Sequence, residues 1–125
     1  MYKKVLFYVL ISLTIFHIMV IIGIIPDNLV WGSRKLSAHK IMELEVFSLV
    51  ISILIILISW FSVKNIEHGF IKAIQKIILI LLGLYFSLNI VLNIISNNIV
   101  EKVIFIPVSI LLASLYFILL KEKNR

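Results

Sequence analysis

Four apolar runs dominate this chain, and each is long enough to cross a lipid bilayer. Val5–Ile25, Val46–Val63, Ile77–Ile95 and Val103–Leu120 hold 18 to 21 residues apiece, with no Lys, Arg, Asp or Glu inside them. At 1.5 Å per residue, helices of that length reach about 27–31 Å, matching a hydrocarbon core of about 30 Å. Barrel strands would be about half as long and would alternate polar with apolar residues, which these runs do not. The expectation is an all-α membrane protein, a four-transmembrane-helix antiparallel bundle. It forms a single domain over residues 1–125 with spans of about 5–25, 43–63, 72–95 and 102–120.

Composition agrees. Of 125 residues, 62% are hydrophobic and 14% charged, with mean hydropathy +1.19. Soluble domains average about 45–50% apolar and about 25% charged, so a water-soluble globule is excluded. The lack of cysteine and the low glycine count remove disulfide scaffolds and collagen as well. Lys3 and Lys4 ahead of the first run resemble the start of a signal peptide. That run is longer than the usual core of about 7–15 residues, and no small-x-small site precedes Pro26, so it reads as an uncleaved helix.

The formal net charge of +6 comes from short flanks around the apolar runs, which points to membrane orientation and away from nucleic acid. Lys3, Lys4, Lys64, Lys72, Lys76, Lys121, Lys123 and Arg125 share one side; Arg34, Lys35, Lys40 and Lys102 share the other. The richer side is expected in the cytoplasm, placing both termini inside a bacterial inner (plasma) membrane. Tyr8, Trp60, Phe70 and Tyr116 then fall near the inner boundary, with Trp31 and Phe105 near the outer one.

The connections carry turn chemistry. Pro26 is expected to end the first helix, Asp27-Asn28 to turn, and Trp31 and Arg34 to mark an external loop. Ser37 suits an N-cap, with Glu43 and Glu45 in the first turns of the second helix, near its positive end. Residues 64–76 are amphipathic and are expected to extend the third helix into the headgroups. The short link from Ser96 to Lys102 makes the third and fourth helices antiparallel neighbours.

Polar side chains inside lipid need protein or water partners, so they mark inward faces. At 100° per residue, Glu45, Ser48, Ser52, Ser59 and Ser62 fall within one arc of about 100°. Two readings fit: small serines allow close packing, or they form a polar lane leading from Glu45. On the third helix Gln75, Asn89 and Asn93 share a face with Ser96 and Asn97, and the two asparagines one turn apart can hydrogen-bond to another helix. On the fourth, Lys102, Ser109, Ala113 and Tyr116 form a stripe containing a small-x-x-x-small pair. By depth, His17, Glu45, Asn89, Asn93, Glu101, Lys102 and Pro107 converge in the outer half, while the inner half reads as Ile and Leu.

No catalytic motif is present: there is no cysteine, no G-x-S-x-G and no H-E-x-x-H. His39 and Glu43, one turn apart, offer two metal ligands, fewer than a site requires. No cofactor and no metal are therefore expected.

Ile25-Pro26, Val30-Trp31-Gly32, Glu45-x-x-Ser48, Asn89-x-x-x-Asn93, Glu101-Lys102 and Pro107 together resemble a family of small uncharacterised bacterial four-helix membrane proteins. The resemblance implies topology and an emphasis on those positions, with no activity attached. Small multidrug transporters fit worse, since their membrane glutamate lies in the first helix, where this chain has only His17. The sterol isomerase-like four-helix families also fit worse, since they carry more acidic residues than this chain.

Two functions follow from the residues. One is binding or transport of a small ligand through an outward-facing pocket of His17, Glu45, Ser48, Ser52, Asn89 and Asn93. The other is a structural or accessory subunit packing, within the bilayer, against itself or another membrane protein. An enzyme ranks third.

Overall fold

The computed structural model describes residues 2–24, 38–95 and 101–124, apart from the side chains of residues 38, 39, 41 and 101. Four long helices are present: α1 (Tyr2–Ile21), α2 (Ala38–Ser62), α3 (Gly69–Ile94) and α4 (Ile106–Lys123). One turn of π-helix, Glu101–Phe105, leads into α4. All four helices are long and apolar enough to cross a membrane, and no strand occurs among the described residues. The chain is a multi-pass, all-α four-helix bundle.

Cross-helix pairs give the direction of packing. Gln75 meets Lys123, Gly83 meets Phe117, and Phe86 meets Tyr116. As one residue number rises the other falls, so α3 and α4 run antiparallel. His17 with Glu45 and Thr14 with Ser52 do the same for α1 and α2. The main contacts join α1 to α2, α2 to α3, α3 to α4 and α4 back to α1, so the helices follow chain order around the bundle. Two ends result: a termini end, where α1 begins and α4 finishes, and a far end opposite.

Burial is inverted relative to a soluble protein. Large apolar side chains such as Ile15, Phe47, Leu57, Leu81 and Leu88 are exposed. Glu45, Ser52, Ser59, Ser62, Gln75 and Ser109 are buried. Lipid accepts the first set without cost, whereas the second must find partners inside the bundle. The interior is completed by Leu6, Leu10, Leu79, Phe86, Leu112 and Leu119. Gly83 brings α3 close to α4: a Cβ there would lie 2.8 Å from the Phe117 ring.

Three local expectations need correction. First, α1 stops at Ile21, before Pro26. Gly23, at φ 88, donates to Val20 O (3.2 Å), and Ile24 donates to Met19 O (3.0 Å). That is a Schellman cap, which needs a left-handed residue that glycine supplies without a Cβ clash. Pro26 itself lies outside the described residues, as do Ser37, Ser96 and Asn97. Second, α3 begins at Gly69, so residues 69–76 do extend the helix but residues 63–68 form a separate connection. Third, Lys102 is exposed while Ser109, Ala113 and Tyr116 are buried. The π-turn advances fewer degrees per residue than an α-helix, so counting 100° steps across it misplaces Lys102. Pro107 supplies the reason for that turn: it has no N–H for the carbonyl four residues back, and its ring crowds that carbonyl.

Candidate functional site

The far half of the bundle is hollow. A cavity of ≈ 410 Å³ lies between the helices and is lined by residues of α1, α2, α3, the π-turn and α4. His17, Glu45, Ser48, Ser52, Asn89 and Asn93 all line it. The six pocket residues expected from sequence thus come together around one space. Trp31 and Arg34 lie outside the described residues, and so does the side chain of His39.

The most polar contact in this cavity joins α1 to α2. His17 Nδ1 is 2.8 Å from Glu45 Oε2, with Glu45 only 2% exposed and His17 20%. His17 sits four residues before the end of α1, and Glu45 lies in the third turn of α2, so antiparallel packing brings them level. With a carboxylate as acceptor, Nδ1–H donates and Nε2 remains as the other ring nitrogen. The pair carries a net charge of −1 when the imidazole is neutral and 0 when it is protonated, so exchanging one proton changes the charge of the cavity wall by one. Deeper in, the Thr14 and Ser52 hydroxyls are 3.1 Å apart, and Thr14 also donates to Leu10 O at 3.0 Å.

Asn89 and Asn93 are half-buried on the α3 wall. Among the described residues neither carboxamide hydrogen-bonds to a neighbouring helix, so the crosslink open to them from sequence is not formed there; they face the cavity instead. Ser48 is half-buried beside them and Ser109 fully buried. The rest of the lining is apolar or aromatic. Phe105 packs edge-on to Phe16 (5.3 Å, 81°), and Phe16 in turn packs against the His17 ring (5.8 Å, 74°). Among the described residues no three His, Asp or Glu side chains gather as a metal site would require.

Phe16, Phe86, Phe105 and Ser109 belong to the cavity wall, and Thr14 holds its Ser52 from behind, but none of these was assigned to the site from sequence. Thr14 was findable, because it lies three residues before His17 and so on the same helical face. The aromatic members carry no such signal, since lipid-facing and cavity-facing Phe look alike in a sequence.

Below the cavity the bundle is closed by polar contacts, so the inner half is not simply Ile and Leu. Tyr116 is fully buried; its hydroxyl lies 2.7 Å from Ser59 Oγ, and its ring stacks on Phe86 at 5.7 Å and 7°. This tyrosine is therefore a core residue and not an interfacial one, unlike exposed Tyr8, Trp60 and Phe70. Nearer the termini, fully buried Gln75 donates to Phe61 O (2.8 Å) and Lys64 O (3.1 Å). Lys123 donates to Lys64 O (3.1 Å) and to Gln75 Oε1 (3.0 Å). Together the two side chains add donors to carbonyls at and just beyond the C-terminal end of α2, which also accept from the Lys64 and Ile66 backbone N–H groups.

Comparison with known proteins finds no matching family, no matching curated protein and no matching solved structure.

Proposed function

We propose that this membrane protein binds a small amphipathic ligand in the far cavity and exchanges it with the outside of the cell. The carrying observation is the gathering of His17, Glu45, Ser48, Ser52, Asn89 and Asn93 around one space of ≈ 410 Å³. Ligand sites of about 300–1,000 Å³ are usually apolar with a few convergent polar groups. An ionisable residue within a membrane is a functional candidate by default. The apolar and aromatic wall suits the greasy part of such a ligand. The His17–Glu45 pair suits a cationic or hydrogen-bond-donating head, and ligand entry can be coupled to one proton.

Orientation follows from the basic residues, eight at the termini end against four at the far end. That asymmetry supports cytoplasmic termini, an outward-facing cavity and a plasma-membrane location. Resemblance to small bacterial four-helix membrane proteins adds weight to Glu45, Ser48, Asn89 and Asn93 as the residues that matter.

A second reading is a structural or accessory subunit, in which the same pair acts as interhelical glue. It draws support from the direct α1–α2 bridge made by His17 and Glu45. Glu45→Gln separates the two. A binder keeps its fold and loses the thermal shift produced by amphipathic amines. A subunit shows no such shift in either form, and instead loses stability or changes its assembly on a sizing column. If Glu45→Gln alters neither ligand response nor stability, both roles for that residue fail.

A further inference from the structure

The termini end holds a second, smaller cavity of ≈ 240 Å³, separated from the first by the Tyr116 layer. Its charged lining is Lys3 from α1, Glu67 from the connection, Lys72 from the first turn of α3, and Glu122 and Lys123 from α4. The three lysines are half-buried, whereas both glutamates are exposed. Among the described residues no ion pair ties Glu67 or Glu122 to these lysines. Two of the three N–H donors of Lys123 are fixed on Lys64 O and Gln75 Oε1, which holds its ammonium in place at the cavity wall.

Three half-buried ammonium groups are brought by three separate helices to one half-open space. Among the described residues the two exposed carboxylates form ion pairs with none of them, and an anion between the lysines relieves their repulsion. Lys72 adds the positive end of α3, whose first N–H groups have no partners within the helix. Val63, Leu79 and Leu119 make up apolar wall of the same cavity, and exposed Phe70 stands two residues before Lys72. An anion seated here thus has charge above it and hydrocarbon contact below, the situation of a lipid phosphate at headgroup depth.

We propose that this cavity is a binding site for a phosphate group, carried by an anionic phospholipid of the adjacent leaflet. The site is independent of the ligand reading for the far cavity, since the two share no lining residue.

The test uses the full chain in phosphatidylcholine nanodiscs doped with phosphatidylglycerol. Native mass spectrometry counts retained lipid, and thermal unfolding reports stabilisation. Phosphatidylglycerol is expected to be retained and to raise Tm, and additional phosphatidylcholine to do neither. A basic residue near an anionic surface contributes about 1 kcal/mol, so each of Lys3→Gln and Lys72→Gln should weaken retention about fivefold. Lys72→Arg should keep retention, as should Lys40→Gln at the far end. A parallel arm adds inorganic phosphate to the protein in pure phosphatidylcholine. A lysine-dependent rise in Tm there, without phosphatidylglycerol retention, keeps the site but assigns it to a soluble phosphate. Retention untouched by the double Lys3/Lys72 substitution, or lowered equally by Lys40→Gln, overturns the proposal.

Discussion

The two ends of this bundle solve the same problem in opposite ways. Both bury polar side chains in a membrane protein. At the termini end each buried group meets a fixed partner: Tyr116 with Ser59, and Gln75 with two backbone carbonyls and Lys123. At the far end, among the described residues, the matches across helices are His17 with Glu45 and Thr14 with Ser52, while Asn89, Asn93 and Ser48 border open space. Satisfied polar groups hold helices together, whereas polar groups facing a cavity are left for water or a ligand. The difference teaches where structure ends and function begins in this bundle.

Substitutions can break or sharpen that contrast. The largest effect belongs to Tyr116→Ala, which removes a fully buried aromatic, its Phe86 stack and its Ser59 hydrogen bond. It should cost about 3–5 kcal/mol, read as a lowered midpoint in denaturant titration of the reconstituted protein. Next comes Gln75→Leu, close in volume but without donors for Phe61 O and Lys64 O. A loss of about 1–3 kcal/mol is expected in the same assay. Smallest is Asn93→Leu in the cavity wall, which breaks no interhelical bond among the described residues and should change stability by less than about 0.6 kcal/mol. If Asn93→Leu proves as damaging as Gln75→Leu, the far end is glue as well and the contrast disappears.

Much of this arrangement is legible in the residue order. Uncharged runs of bilayer length fix the number of helices, and the spacing of Glu45, Ser52 and Ser59 fixes the buried face of α2. Convergence of the six cavity residues is also legible, because depth along antiparallel spans follows from simple counting. What stays hidden depends on contacts between helices or on departures from ideal winding. The π-turn before Pro107 shifts register and puts Lys102 outside. Gly23 ends α1 earlier than Pro26 would, since a Schellman cap depends on backbone conformation and Gly alone does not announce it. Gln75 shared its face with Asn93 in the sequence, but its bond to Lys123 requires knowing that α3 and α4 lie side by side. Tyr116 shares a packing stripe with Ser109 and Ala113 in the sequence although its residue type also suggests the interface, and its bond to Ser59 becomes visible only once α2 is opposite.

The stacked Tyr116 and Phe86 rings stand between the far cavity and the termini end, with Phe86 in the cavity wall and Tyr116 behind it. A receptor or sensor loses nothing by this, because its occupant enters and leaves by the same mouth. A carrier has to swing the tyrosine aside once per cycle, parting its hydroxyl from Ser59 and sliding one aromatic plane off the other. Turnover would then be paced by a side-chain rotation on the termini side of the cavity, and trimming that ring would speed leakage while loosening the fold.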